Sequence, residues 1–560
     1  MKNPSSTIAE KYLVLTPLAV TIIFLPITFD PINIPKLAFL TFGSFASLAI
    51  VISQIRHFDW KKFELLIILV VVFLIQLFLS FFVSGAGYAS QFYGWQGRSS
   101  GLLAYFDLIG LLLVSAVFSS NELIQKLTKS ILFTGLISIA YGLIQYMNLD
   151  PLKWVNSYSP VIGFLGNPDF QSSFVAFSAI VAFAFFISSG VGRLKRLLSF
   201  IYLLLAFIMI IGTKALQGIV LLALGFILLL IIFLSKNHKK FAAKVLIANS
   251  LIIAYFGVLG ALNKGPLAGL LFKDSVIYRG DYWNAGWQMT ISHPFFGIGI
   301  DNYGSWYRRA RSLEATIRRG PDMVADASHN VLLDLSSGGG ALLILIYIVI
   351  QILTLRSIVK VIMRKKEFDP YFNGIAVAWI AYQVQSIISI NNLGLAVWGW
   401  IFSGCLIGYE INTRNSVGNK NSRTKGNSKN RIFKPRTQSE PIILVSIFLA
   451  FLSSGVLILP LVSSSAIFKS AIITADSKQI ETALARFPEV PQNYLYAAHF
   501  FQVNSLDDEA INILKIATAK FPDYYDFWAT LAKSPGISDE IQTQAKAQMK
   551  RLDPLNPNLK

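Results

Sequence analysis

The chain has 560 residues, 54% of them hydrophobic and only 14% charged, with a formal net charge of +19 and a mean hydropathy of +0.56. Soluble domains carry about a quarter charged residues, so this composition excludes a soluble globular protein. Apolar runs of the length a membrane helix needs, in place of short alternating segments, exclude a membrane β-barrel as well.

In chain order, MKNPSSTIAEKYLVLTPLAVTIIFLPITF begins basic and turns apolar without a small-residue cleavage site. An uncleaved helix is therefore expected at 12–29. Further spans are expected at 36–55, 64–83, 101–119, 131–147, 168–189, 194–211, 214–234, 244–262, 341–359, 372–390, 393–410 and 441–462. The expected fold is all-α: a polytopic helical membrane protein with about twelve core helices plus one more. With a cytoplasmic N-terminus, the inside connections contain RHFDWKK (56–62), QKLTK (125–129), RLKR (193–196), KNHKK (236–240) and RKK (364–366). Their positive charge marks them as cytoplasmic and accounts for the basic balance without nucleic acid. Residues 1–411 thus form the membrane domain. Residues 412–440 form a basic, Asn- and Ser-rich cytoplasmic linker, and 441–462 an extra span.

Two regions depart from simple hydropathy. Residues 263–329 make a large outside loop with many Arg and Lys, where orientation rules do not ask for them, and an anionic ligand on the outer face is one reading. The tail, 463–560, repeats itself: ALARFPEVPQNYLYAA (483–498) returns as ATAKFPDYYDFWATLA (517–532), pairing Phe487 with Phe521, Pro488 with Pro522 and Tyr494 with Trp528. A period of about 34 residues is that of tetratricopeptide helix pairs. The module is expected outside, with protein contact as its role.

The single cysteine, Cys405, lies within a span, so neither a disulfide nor a cysteine metal site is available, and it reads as a small core residue. The inside loops are too short for a nucleotide domain and hold no P-loop or dinucleotide fingerprint. An enzyme working outside, away from ATP, needs a substrate already activated, and a lipid-linked pyrophosphate serves. Arginine suits such a ligand because its planar fork binds phosphate oxygens in pairs.

Of the five histidines, only His293 and His329 flank the outer side of the core. His293 precedes Pro294 in a Gly- and Pro-rich turn, where a structural role is expected. His329 stands where the loop enters a helix, after Ser328 as an N-cap candidate; a neutral imidazole there suits a general base. Arg98, Asn167, Asp169, Lys214 and Arg279 share the outer edge. Asp30, without a second close carboxylate, reads as structural.

Four stretches in order resemble the bacterial O-antigen ligase and O-antigen polymerase superfamily: FYGWQGRSSGLLAY (92–105), GFLGNPDFQSSFVA (163–176), YRGDYWNAGWQMTISHPFFGIGIDNY (278–303) and SHNVLLDLSSGGG (328–340). The resemblance covers roughly residues 10–410, and a tetratricopeptide-like tail after one more span is an extension known in part of that family. It implies transfer of a glycan from undecaprenyl pyrophosphate to a hydroxyl acceptor on the outer side of the bacterial inner membrane, with no cofactor, nucleotide or essential metal. It further implies that Arg279 holds the pyrophosphate, with Lys214 beside it, and that His329 activates the acceptor; Arg98, at the same outer edge, is a further pyrophosphate-binding candidate. Asn167, Asp169, His293 and Asn330 are supporting candidates. Lys214 stands where ligases carry an arginine, keeping the charge without the fork.

Three acceptors remain open: a lipid (ligase), another lipid-linked repeat unit (polymerase) and a protein hydroxyl (O-oligosaccharyltransferase). A glycan transporter and a non-catalytic scaffold are the alternatives of another class.

Overall fold

The structure is a computed structural model that describes residues 4–152, 154, 159–414 and 440–559. Among these the regular elements are helical. Helices α1 (Pro4–Ile22), α2 (Asn33–Ser53), α3 (Glu64–Val83), the short α4 (Tyr88–Tyr93) and α5 (Leu102–Val117) come first. They are followed by α6 (Asn121–Tyr146), α7 (Pro168–Ile187), α8 (Arg193–Gly212), α9 (Leu216–Lys236) and α10 (Lys240–Ala261). The long connection then folds into α11 (Ala268–Leu271), α12 (Asp274–Ser292), α13 (Tyr303–Ala310) and α14 (Leu313–Arg319). After it come α15 (Val331–Arg364), α16 (Pro370–Ile388), α17 (Leu393–Thr413) and α18 (Glu440–Thr474). The tail consists of α19 (Ser477–Leu484), α20 (Pro491–Val503), α21 (Asp507–Lys520), α22 (Tyr525–Lys533) and α23 (Asp539–Leu552).

Helices stand at all thirteen expected spans, and ten of them are long and apolar enough to cross a membrane. The other three are α1 and α16, which carry polar side chains, and α5, which is only 16 residues long. Several boundaries differ from expectation; α6 starts at Asn121, not near 131, so the QKLTK stretch (125–129) expected in a connection lies within the helix. The first helix ends at Ile22, not near 29, because Pro26 and Pro31 cannot continue it; Leu25 N–H instead closes a turn on Pro31 O at 2.8 Å. The span expected at 341–359 is the second half of a broken helix that starts at Val331. The last span runs on to Thr474, beyond any bilayer requirement, and delivers the tail. Of the expected linker, residues 415–439 lie outside the described residues.

Several starts are capped as their sequences dictate. Asn167–Pro168 and Asp369–Pro370 each place an accepting side chain before a proline at the first helical turn, and Asn392 accepts from Gly394 N–H. Successive spans alternate in direction. The basic connections therefore gather at one end, here called basal, where Lys236 donates to Ile362 O and Lys365 O and Arg364 to Thr413. Residues 84–101, 262–330 and the tail gather at the other, apical end. There α18, packed along α2, seats Phe468 against Phe29 at the base of the tail's own apolar core.

Within the bundle α5 and α17 approach most closely through Gly404 and Gly408, one turn apart. A Cβ at either would fall 1.9–2.0 Å from the carbonyl oxygens of Leu112 and Ala116. Small residues at this spacing let membrane helices pack backbone to backbone. Gly404→Val is accordingly expected to lower stability by about 1–3 kcal/mol or more through overpacking, read as a drop in thermal unfolding temperature in detergent.

Candidate functional site

The apical site is built around the break in α15. Gly340 takes φ 82°, and the helix resumes on a new axis. The carbonyls this frees are all taken: Ile298 N–H donates to Ser337 O at 2.8 Å, Gly299 N–H to Gly338 O at 3.1 Å, Ser80 Oγ to Gly338 O at 2.8 Å and Gln76 Nε2 to Gly339 O at 2.8 Å. Ala341 N–H returns a bond to Pro294 O at 2.7 Å. A Cβ at Gly297 or Gly340 would lie 2.3–2.4 Å from the facing backbone. The HPFFGIG and GGG stretches are thus two halves of one joint.

The joint carries His329 just ahead of the short first half of α15. His329 has φ 54°, left-handed for a residue with a side chain. Ser328 fixes the turn, its hydroxyl donating to Asn330 O at 2.8 Å and its N–H to Asp334 Oδ1 at 2.9 Å. Asn330, not Ser328, is the N-cap: its side-chain oxygen accepts from Leu332 N–H at 3.0 Å and Leu333 N–H at 3.4 Å. Ser328 is too far back to reach the first turn and serves the preceding bend.

Helix α12 lies alongside. Gly286 brings it close, since a Cβ there would already touch Ser328 and Leu333 at 3.4 Å. Tyr282 stacks on the His329 ring with centroids 5.2 Å apart and planes at 25°. Tyr303 holds Tyr282 by donating to its carbonyl at 2.7 Å, and Arg319 donates to the Tyr282 hydroxyl while lying over the Tyr278 ring at 4.3 Å. Burial lowers the His329 pKa to about 4; Asp326 pulls the other way, and the charges of Arg279, Arg98 and Arg319 add to the lowering. The ring is neutral at pH 7.

Arg279, three residues before Tyr282 and so on the same face of α12, is half-buried. Of the six arginines between 279 and 319, it is the one with neither a hydrogen bond nor an ion pair, and its Nε is buried without a partner. Its charge is felt by both Asp169 and His329. The others are committed. Arg308, Arg309 and Arg311 pair with tail carboxylates, Arg318 with Asp281 at 2.6 Å, and Arg319 with Tyr282. Most of the charge in this loop therefore serves folding, not an anion. Sequence cannot distinguish the two uses, because the pairing carboxylates lie up to 245 residues away.

The remaining expected residues divide. Asp169 stands in the first turn of α7 near Arg279, with Asn167 as its cap (2.8 Å to Asp169 N–H). Lys214 is exposed, unpaired and in a left-handed turn between α8 and α9, at the same end. Arg98 is only 5% exposed and faces carboxylates: Asp326 at 3.5 Å and Asp301 at 3.9 Å. It is a buried counter-charge, closed to direct solvent. His293 is not part of this cluster. It faces a separate recess across α12, edge-on to Trp306 at 4.7 Å and hydrogen-bonded to Ser292 at 3.0 Å. Tyr282, Arg319 and Asp326 were missed by sequence reading; only Tyr282 carried a signal, its helical spacing from Arg279.

Residues 201–348 match the O-Antigen ligase family model. The matched segment runs from α8 to the second half of α15 and includes Lys214, Arg279, His293 and His329, whereas Arg98, Asn167 and Asp169 precede it. The match supports an enzyme of the O-antigen ligase or polymerase type in a multi-pass membrane chain. No curated protein matches the chain.

Removing one side of a buried ion pair strands the other. Arg98→Ala, which leaves the buried Asp301 without its counter-charge, is expected to cost about 3–5 kcal/mol, whereas Asn330→Ala, which removes a cap, is expected to cost about 1 kcal/mol. Thermal unfolding of the two variants in parallel checks the ranking.

Proposed function

We propose that the chain is a glycosyltransferase that moves a glycan from an undecaprenyl-pyrophosphate carrier to a hydroxyl acceptor. The observation that carries this reading is the unpaired Arg279 beside a neutral, half-buried His329. An unpaired guanidinium in a partly desolvated place is suited to phosphate oxygens, and a neutral imidazole nearby is suited to take a proton. The basic basal connections support a cytoplasmic basal end and an outer-side site in a bacterial cytoplasmic membrane.

In the proposed step the acceptor O–H gives its proton to His329 and its oxygen bonds to the anomeric carbon. The bond from that carbon to the pyrophosphate oxygen breaks, and its electron pair leaves with the pyrophosphate. Configuration inverts. Arg279 and Lys214 stabilise the charge gathering on the leaving group, commonly the largest catalytic contribution. Tyr282 holds the imidazole plane, and Arg98 acts beneath as a positioning residue. Metal and cofactor have no assigned part. A lipid acceptor makes the chain a ligase, a repeat unit makes it a polymerase, and a protein hydroxyl makes it an O-oligosaccharyltransferase; the tail is read as tetratricopeptide-like.

Release of undecaprenyl pyrophosphate from a synthetic donor, by purified protein in liposomes, tests the reading. Release should require an acceptor, and His329→Ala should slow it by about 100-fold or more. Arg279→Lys, which keeps charge but loses the fork, should retain more activity than Arg279→Ala. Absence of release by folded wild-type protein with every acceptor class would sink the proposal.

The pH dependence has a definite sign. The base works when neutral and its pKa is lowered, so kcat/KM should hold from pH 7 downward and fall only through about 4. An unshifted histidine would begin to fail near 6.5. Bound pyrophosphate favours the imidazolium, so the acid limb of kcat should lie at higher pH than that of kcat/KM, which a full pH–rate series resolves.

A further inference from the structure

The C-terminal module touches the rest of the chain through buried charge. Arg311, 1% exposed at its side chain, donates to Asp553 at 2.6 Å, and Asp553 is fully buried. Arg308 donates to Asp526 at 3.0 Å and lies over the Tyr525 ring at 4.0 Å. These same two guanidinia hold the segment that leads to His329: Arg308 donates to Pro321 O at 2.7 Å, and Arg311 to Pro321 O at 3.0 Å and Met323 O at 3.2 Å. Each arginine is thus a bridge with a module carboxylate on one side and the 321–323 backbone on the other.

A second line reaches the same segment through Tyr524. Tyr524 stacks on Trp95 with centroids 5.6 Å apart and planes at 12°. Trp95 N–H donates to Asp301 at 2.7 Å; Asp301 faces Arg98, and Arg98 pairs with Asp326, three residues before His329. Asp326 and Trp95 meet at Gly304, where a Cβ would lie 3.3–3.4 Å from both. Tyr524, Tyr525 and Asp526 also wall a cavity of about 50 Å³ that Asp326 shares.

We infer that the C-terminal module is a positioning element of the apical site, clamping the 320–329 segment in cis through Asp553, Asp526 and Tyr524. This rests on the reading of His329 as the working group, but the clamp itself is a matter of geometry. A segment without regular structure costs entropy to hold still, and here its order is supplied by partners far along the chain. The module's place is then fixed beside the reacting groups, and it is not a detached arm.

The test uses the full chain in lipid nanodiscs and the variants Asp553→Asn, Tyr524→Ala and Tyr524→Phe. Carbethoxylation of His329, followed by mass spectrometry across pH, reads its titration midpoint, with His57, His238, His293 and His499 as controls in the same molecule. The groups facing His329 are Arg279 and Tyr282 from α12, Arg319 from α14, Arg98 from the 94–101 loop, and Asp326 on its own side, with Asp334 bound to the neighbouring Ser328 N–H. Loosening the segment admits water, so Asp553→Asn and Tyr524→Ala should move the midpoint upward, toward about 6.5, and speed hydrogen exchange over 320–330 by about tenfold. Tyr524→Phe keeps the stacked ring and should behave as wild type. An unchanged midpoint with unchanged exchange at 320–330 in both loosening variants overturns the clamp. Neither readout needs turnover, so an inactive but correctly responding protein would count against the transferase and leave the clamp standing.

Discussion

A membrane helix interrupted at the depth of its neighbours exposes backbone groups that have no water to turn to. The break of α15 at Gly340 is affordable only because Ile298, Gly299, Ser80 and Gln76 take the freed carbonyls. This joint orders everything above it. It ends the first half of α15 at the right place, turns the preceding residues back over α12, and leaves His329 on a two-sided support of Ser328 and Asn330. The left-handed backbone of His329 is sustained by that support.

Above the joint, positive charge is used in two ways. Five arginines between 308 and 319 are spent on carboxylates, carbonyls and aromatic rings of the same chain, whereas Arg279 is left with none. Arg279 is half-buried with an Nε that has no partner, and a desolvated, unpaired guanidinium nitrogen is what the proposed anion would satisfy. The neighbouring imidazole benefits from the same field: burial and nearby cations keep it neutral, with Asp326 as the local counterweight. Two other buried polar side chains serve the bundle. Lys36 donates to the carbonyls of Val20, Thr21 and Ile23 at the end of α1, and Asp107 accepts the Thr41 hydroxyl at 2.7 Å. They join helices and need no transport path to explain them.

Much of the site was legible before the fold was known, and for definable reasons. His329 and Arg279 stand out in the sequence by their place at the outer edge, by residue type and by the motifs that carry the resemblance, and the structure brings them to one end. Asp169 was readable as an outer-edge residue, and the cap that Asn167 places beside it came with the structure. Arg98 and His293 share the apical end with them, yet Arg98 is enclosed by carboxylates and His293 faces across α12. Tyr282 needed only the three-residue helical offset from Arg279, but the partners of Arg308 and Arg311 lie more than 200 residues on.

The sequence by itself determined the all-helical membrane class, the sites of the spans, and the alternation that brings the tail and residues 262–330 to one end. Hydrophobic length and local backbone demands are properties of short stretches, so they can be read from short stretches. Only the tertiary structure decided which arginines are free, which residue caps the His329 turn, and that the tail grips the segment beside it. Those outcomes depend on distances between groups remote in sequence, and charge pairing is set by such distances alone.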